Sequence, residues 1–250
     1  MARNMIDLKP LTRLSMHLLD EFADSLLQFK NLERVYLFDF TPGYGGDFFI
    51  TLASKCSPHF VNSWQHWYYV VDRMNEFAET KLMPGNNIGG KLIDYDDENS
   101  YRLKIMLDFE NKLVNKNARY MSLCTHSTGT NLAKVSVLDT VRDLFAPIPV
   151  TPVCLEISTN RSHHWTDYHV PEEHWKDSQA PFSPWLYWQD PENTILIDPI
   201  DALISKDYDK LKRLALDIAE DLNTEFYDYV LSKYLEHKVI PYYDKIRLSH

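Results

Sequence analysis

The feature that most constrains the fold is a concentration of glycine directly after an aromatic stretch. Residues 34–40, RVYLFDF, have the composition of a buried β-strand. They are followed by TPGYGGDFF, which holds three of the seven glycines of the chain, and by an apolar segment that predicts a helix over 47–54. Glycine adopts positive φ angles readily and lets a backbone come close to a ligand. The pattern predicts a strand, a tight turn and a helix in direct succession.

The rest of the chain alternates between extended and helical patterns. Three further strands are predicted, at 119–124, 153–158 and 194–198. Helical periodicity marks 11–30, 60–117, 131–145 and 207–222, with a solvated acidic loop at 94–98. Strands separated by helices favour a parallel sheet, and right-handed crossovers then cover both of its faces. The chain is therefore predicted to be one α/β domain over 1–250, with a doubly wound, mainly parallel sheet flanked by helices.

Charge and cysteine content limit the partners and the compartment. The chain has 250 residues and a formal net charge of −10, which disfavours binding to duplex nucleic acid or to a membrane surface. Its three cysteines form no CxxC pair, and no segment approaches the roughly 18 apolar residues of a membrane span. We therefore expect a soluble, cytoplasmic protein that binds neither duplex nucleic acid nor membrane.

The predicted topology indicates where a ligand would bind. In doubly wound sheets, ligands bind beyond the carboxyl ends of the strands. The loops at 41–47, 125–130 and 158–169 each follow a predicted strand, so all three are expected to meet at that edge. The sequence therefore predicts a single site built from these three loops.

The first of these loops has the features of an anion nest. Successive N–H groups at Gly43, Gly45 and Gly46 would enter a helix N-terminus, where the helix dipole favours an anion. The loop lacks the Lys and Ser/Thr of GxxxxGK[ST], and Phe48 occupies the third glycine position of GxGxxG. Asp47 stands where a helix N-cap is expected, so its carboxylate would compete for the same donors. A phosphate-type site and a ligand-free turn capped by Asp47 both remain open.

Two side chains after the next strands are candidates for chemistry. Arg161 could supply the cation that the first loop lacks, because a guanidinium grips phosphate or sulfate with two hydrogen bonds. The alternative is a surface arginine that pairs with a nearby carboxylate. His126 could act as a general base at the sheet edge, since its ordinary pKa suits that role. Its alternative is a structural histidine.

An insertion at about 159–192 is rich in histidine and aromatic residues. His164, His169 and His174 are five residues apart, which does not place them on one helical face. Because zinc motifs use tighter pairs, no metal is predicted. The Trp and Tyr side chains of this insertion form either a stacking wall for a sugar, base or protein partner, or a core of its own.

Taken in order, these motifs resemble the P-loop-type sulfotransferase superfamily, in particular the divergent sulfotransferase-like proteins of phages and marine bacteria. The resemblance extends over about 34–235. YLFDFTPGYGGDFF is similar to that group's first strand and phosphosulfate loop, and RYMSLCTHS to the strand that ends in Thr-His. VCLEISTNRS resembles the strand before the 3′-phosphate contacts, and TILIDPIDALIS resembles the segment near the end of these domains.

The resemblance implies a sulfuryl transfer from 3′-phosphoadenosine 5′-phosphosulfate to a hydroxyl-bearing small molecule or glycan. The donor's 5′ side would be held by the first loop, through Gly43, Tyr44, Gly45, Gly46 and Asp47. Arg161, together with Ser158 or Ser162, would bind the 3′-phosphate. His126 would deprotonate the acceptor hydroxyl. Catalysis of this kind depends on positioning and charge stabilisation.

In a second hypothesis, the chain has this fold but does not catalyse sulfuryl transfer. Active members of the family carry Lys or Arg in the first loop and Ser or Thr at the helix start, where this chain has Tyr44 and Asp47. The chain would then be a phage structural component or a host-interaction protein, in the host cytoplasm or the virion. It would bind a protein partner or a second copy of itself through the aromatic insertion.

Overall fold

The computed structural model describes residues 31–40, 43–60, 90–97, 100–107, 118–126, 137–169 and 189–248. The strands are β1 (Arg34–Phe40), β2 (Gly90–Asp97), β3 (Ser100–Leu107), β4 (Tyr120–His126), β5 (Val150–Leu155) and β6 (Ile195–Ile197). They form one sheet in the order β3-β2-β4-β1-β5-β6. The strands β4, β1, β5 and β6 are parallel; β2 joins β4 in parallel, and β3 is antiparallel to β2.

Helices make up most of the remaining described chain. They are α1 (Gly46–Ile50), α2 (Val137–Phe145), α3 (Asn160–His169), α4 (Pro199–Ile204), α5 (Tyr208–Ala219), α6 (Thr224–Tyr234) and α7 (Ile240–Leu248). A π-helical turn, Thr51–Lys55, continues α1, and another, Leu235–Val239, joins α6 to α7. No helix in these ranges is both long enough and apolar enough to cross a membrane.

The central strand β1 is buried on both faces. Tyr36, Phe38 and Phe40 project into a large apolar cluster that also contains residues of α1, α5 and α6. Val35 and Leu37 alternate with them toward the opposite face and are fully buried as well. Burial on both sides is typical of a parallel sheet with helices on its faces. The predicted α/β class, with a mainly parallel sheet flanked by helices, is confirmed.

The strand predicted at 153–158 begins earlier than expected, because a proline is tolerated inside β5. Val35 N–H donates to the Pro149 carbonyl at 3.0 Å, so by alternation the nitrogen of Pro152 faces away from β1. On that side the pairing with β6 starts only at Val153. Pro152 therefore interrupts no hydrogen bond of the sheet, which is the condition under which a strand accepts proline.

The prediction that 60–117 is mostly helical is wrong for 90–97 and 100–107. Strands β2 and β3 form an antiparallel hairpin there, paired from Gly90 with Leu107 to Asp97 with Ser100. The sequence of β3, SYRLKIML, alternates between apolar and polar residues along most of its length, and this two-residue period fits a strand. Most of the acidic run at 94–98, predicted as a loop, lies in β2. Residues 61–89 and 108–117 lie outside the described part of the chain, as does the predicted helix at 11–30.

The prediction of a polar loop at 158–169 is also wrong, because the helix α3 occupies 160–169. Thr159 caps its first turn: the Thr159 Oγ1 accepts a hydrogen bond from the Ser162 N–H at 3.2 Å. Trp165 is fully buried and packs against Tyr234 and Tyr242. Trp165 therefore belongs to the main core, and the other predicted aromatic residues at 175–188 lie outside the described residues.

His169 at the end of α3 is held in an aromatic environment. Its ring centroid lies 4.2 Å from that of Trp165 and 6.5 Å from that of Tyr242. Burial, and secondarily the Lys238 charge, lower the pKa of His169 from 6.5 to about 4. The folded protein therefore favours the neutral imidazole.

The shifted pKa gives a stability that depends on pH. The pKa of His169 is lower in the folded than in the unfolded protein, so the unfolded state takes up the proton first. The stability that the neutral imidazole contributes is therefore complete above about pH 6.5 and is lost as the pH falls toward about 4. We expect the wild type to lose about 2 kcal/mol more than His169→Phe between pH 7.5 and 4.5, measured by urea unfolding. Equal losses in the two proteins would show that the imidazole is not held in this environment.

Candidate functional site

The carboxyl ends of four parallel strands lie at one edge of the sheet. Phe40 of β1 is paired with His126 of β4, Asp39 with Cys154 of β5, and Leu155 with Ile197 of β6. The loops that follow these strands therefore start side by side. The strand ends that precede the three predicted loops thus lie at one edge, together with the end of β6, whereas residues 41–42 and 127–136 lie outside the described residues.

The glycines of the first loop are explained by backbone conformation and packing. Gly43 and Gly45 have φ angles of 82° and 80°, in the left-handed region that favours glycine. A Cβ on Gly45 would lie 2.8 Å from Tyr234 Oη, and one on Gly46 would lie 2.1 Å from Phe40 Cδ2. The close approach that requires glycine here is to side chains of the protein itself.

Asp47 does not cap the helix as the sequence predicted. The N-cap of α1 is Gly45, and Asp47 lies inside the first turn, where its carboxylate is favoured by the helix dipole. The expectation failed because glycine in the left-handed conformation turned the chain two residues before Asp47. The half-buried carboxylate still adds negative charge next to the amides that an anion would need.

Tyr44 points from the glycine loop into the protein. It is fully buried, and its hydroxyl donates a hydrogen bond to Asp198 Oδ1. Burial, and then the charge of Asp198, raise the pKa of the Tyr44 phenol strongly. The phenol therefore stays protonated and remains a donor throughout the physiological pH range.

Asp198 is the centre of the site. Its Oδ1 also accepts from the Asp201 N–H at 2.8 Å. Its Oδ2 accepts from the Ser158 N–H at 3.1 Å, the Ser158 hydroxyl at 2.6 Å and the Ser162 hydroxyl at 2.8 Å. Five donors from the chain segments after β1, β5 and β6 therefore converge on one carboxylate, which is only 9% exposed.

The local sequence explains why Asp198 takes this position. It directly follows the short strand β6 and is the N-cap of α4, with Pro199 in the first turn. Aspartate is among the preferred N-cap residues, and proline at the first helical position is already in a helical conformation. The N-cap geometry fixes the carboxylate at the sheet edge, and the other two loops donate to it.

A second carboxylate, Asp201, lies beside the first. Its Oδ1 accepts a hydrogen bond from Thr159 Oγ1 at 3.2 Å and lies 3.6 Å from Arg161 Nε. Its Oδ2 lies 3.3 Å from Lys210 Nζ. The side chain of Arg161 is 61% exposed. The structure thus pairs Arg161 with a carboxylate, as expected for the alternative in which it is a surface arginine.

The site as a whole is acidic. Burial, and then the charge of Asp198, raise the pKa of Glu156, which follows β5 at the same edge. With Asp47, Asp198 and Asp201, the described part of this edge carries four carboxyl groups, against the two cations Arg161 and Lys210. A phosphate or sulfate brought here would meet that charge at short range, where the interaction is weakly screened.

Of the predicted site residues, the structure brings together Tyr44, Ser158 and Ser162 around Asp198. His126 is the last residue of β4, next to Phe40 in the sheet, and its side chain lies outside what the structure describes. Sequence reasoning missed Asp198, Asp201, Thr159 and Lys210. An aspartate directly between a strand and a proline, in TILIDPID, was the signal for the first of these.

No protein-family model matches the chain, and neither a curated protein nor a solved structure matches it. Within the described ranges, no group of three or more His, Cys, Asp or Glu side chains is placed to hold a metal ion. The fold and the site define an α/β protein in which the loops after β1, β5 and β6 are joined through the carboxylate of Asp198.

Proposed function

We propose that this chain keeps a sulfotransferase-like fold and acts by binding a protein partner, without transferring a sulfuryl group. The observation that carries the proposal is the convergence of five donors on Asp198. The roles suggested from sequence, a phage structural component or a host-interaction protein, belong to this proposal. The partner surface would be the aromatic segment at 170–188, whose structure is not described.

The hydrogen bonds of Asp198 compete with donor binding. To hold a donor phosphate, Ser158 and Ser162 would have to leave Asp198. That carboxylate would then be buried without its donors, next to a second anion, and both effects are costly. The dipole of a short helix contributes only about 0.3–1 kcal/mol to an anion, which is too little to offset them.

Sulfuryl transfer is the second candidate, and the position of β1 favours it. The glycine loop follows the central strand, with β4 and β5 on opposite sides, and such positions in open α/β sheets form ligand crevices. In this proposal the donor is 3′-phosphoadenosine 5′-phosphosulfate, held by residues 43–47 and by Arg161 with Ser158 or Ser162. His126 would take the proton of a hydroxyl on a small molecule or glycan. The hydroxyl oxygen would form a bond to sulfur as the bond between sulfur and the 5′-phosphate oxygen breaks, and adenosine 3′,5′-bisphosphate would leave.

Isothermal titration with adenosine 3′,5′-bisphosphate separates the two candidates. For the binding protein we expect no measurable heat at about 1 mM ligand, because the acidic site opposes the anion. The control is a circular dichroism spectrum that shows an intact fold. Micromolar binding that is lost in Arg161→Ala, and kept in the exposed control Arg213→Ala, would overturn the first proposal and support sulfuryl transfer.

A further inference from the structure

We propose that the donors around Asp198 form a small-anion cradle that the chain fills with its own carboxylate. A small carboxylate such as formate can take that place when the Asp198 side chain is removed. This inference rests on the geometry of the cradle and does not require that a protein partner binds.

The donors have the composition of an anion-binding site. Two are backbone N–H groups, of Ser158 and Asp201, which are fixed by the loop and by the start of α4. Three are hydroxyls, of Tyr44, Ser158 and Ser162, which can turn toward any acceptor in the same place. A carboxylate offers about four lone-pair positions, so these donors saturate it. They come from three separate segments of the chain, and all of them donate to the same anion.

The surroundings of the cradle suit a monoanion. The neighbouring carboxylate of Asp201 is paired with Arg161 and Lys210, at 3.6 and 3.3 Å, so its charge is partly neutralised. Asp198, by contrast, is stabilised through the hydrogen bonds described above. Hydrogen bonds to an ionised acceptor are about twice as strong as neutral ones. All five groups donate, so the donor set suits an occupant that accepts hydrogen bonds through both of its oxygens.

The cradle is buried on one side and accessible on the other. Tyr44 and Ser162 are fully buried, whereas Ser158 is exposed at the surface of the loop after β5. Removing the carboxymethyl group of Asp198 leaves a space that can hold formate, which is smaller than the removed group by one methylene. A small planar carboxylate can then reach the donors from the Ser158 side, whereas tetrahedral sulfate fits the same space less well.

The test is the thermal unfolding of Asp198→Gly in 100 mM sodium formate, with sodium chloride at equal concentration as the reference. We expect formate to raise the Tm of this variant by about 3 °C or more over chloride. Wild type should show no such difference, nor should Asp207→Gly, which removes a single-bond N-cap of α5. Sulfate should raise the Tm less than formate. Equal Tm values of Asp198→Gly in formate and chloride would overturn the proposal.

A second pair of variants decides the matter if Asp198→Gly does not fold. Tyr44→Phe removes one donor of the cradle while the carboxylate stays in place. Tyr227→Phe is the matched control, because the Tyr227 hydroxyl is buried with no hydrogen-bond partner among the described residues. We expect Tyr44→Phe to lower the Tm and Tyr227→Phe to leave it unchanged or raise it. A Tm for Tyr44→Phe equal to or above that of Tyr227→Phe would overturn the proposal.

Discussion

Replacing Asp198 with Asn is expected to lower the free energy of unfolding by about 3 kcal/mol. The amide keeps one acceptor oxygen for Asp201 N–H and Tyr44, so the N-cap of α4 survives. Its NH₂ group, however, replaces the oxygen that receives Ser158 and Ser162, and brings a donor against the Ser158 N–H. A buried donor is left without an acceptor, and the charge that strengthened the other bonds is gone.

Asp207→Asn is the matched control for this substitution. Asp207 is the N-cap of α5 and accepts one hydrogen bond, from the Lys210 N–H at 2.9 Å, at an exposed position. Asparagine caps a helix about as well as aspartate, so the control is expected to change the stability by less than about 0.5 kcal/mol. Urea unfolding of both variants measures the difference. A similar small loss in both would mean that Asp198 is only a helix cap.

Gly46→Ala is expected to lower the free energy of unfolding by about 3 kcal/mol. The added Cβ would lie 2.1 to 2.3 Å from three ring atoms of Phe40. Phe40 is only 3% exposed at the end of β1, so its ring has little room to move. Either the ring or the start of α1 must shift, and the glycine loop shifts with it.

The clash predicts a specific compensation. Phe40→Leu alone is expected to cost about 1 kcal/mol, since it exchanges one apolar side chain for a smaller one. It also removes the ring atoms that the new Cβ would meet. The double variant should therefore lose less free energy of unfolding than the two single losses added together. Strict additivity in chemical denaturation would argue that Gly46 is needed for another reason, such as the approach of a ligand.

Local patterns in the sequence were sufficient to predict the part of the fold that carries the glycine loop. The strand β1 has its predicted bounds, because an apolar run bounded by glycine and proline has few alternatives. The hairpin of β2 and β3 was missed because an apolar pattern with interspersed charges was assigned a helical period. The helix α3 was missed because its few apolar residues give no helical stripe, although Thr159 and Ser162 mark its start.

The sequence predicted where the candidate site lies, but not which groups its side chains bind. Strand order alone brought the loops after β1 and β5 to one edge. The bond between Tyr44 and Asp198 joins residues 154 positions apart, and no local pattern indicates such a pair. The serines and the tyrosine were therefore assigned to a ligand anion, whereas in the structure they bind an anion that the chain itself supplies.

The central claim is that Asp198 joins the glycine loop to the segments after β5 and β6, and a double-mutant cycle of Tyr44→Phe and Asp198→Asn tests it most directly. Both side chains are buried and in contact, so their effects on the free energy of unfolding should be coupled. We expect the double variant to be more stable than the sum of the single losses by about 1–2 kcal/mol. Losses that add to within about 0.3 kcal/mol would contradict the claim, because the two side chains would then act independently.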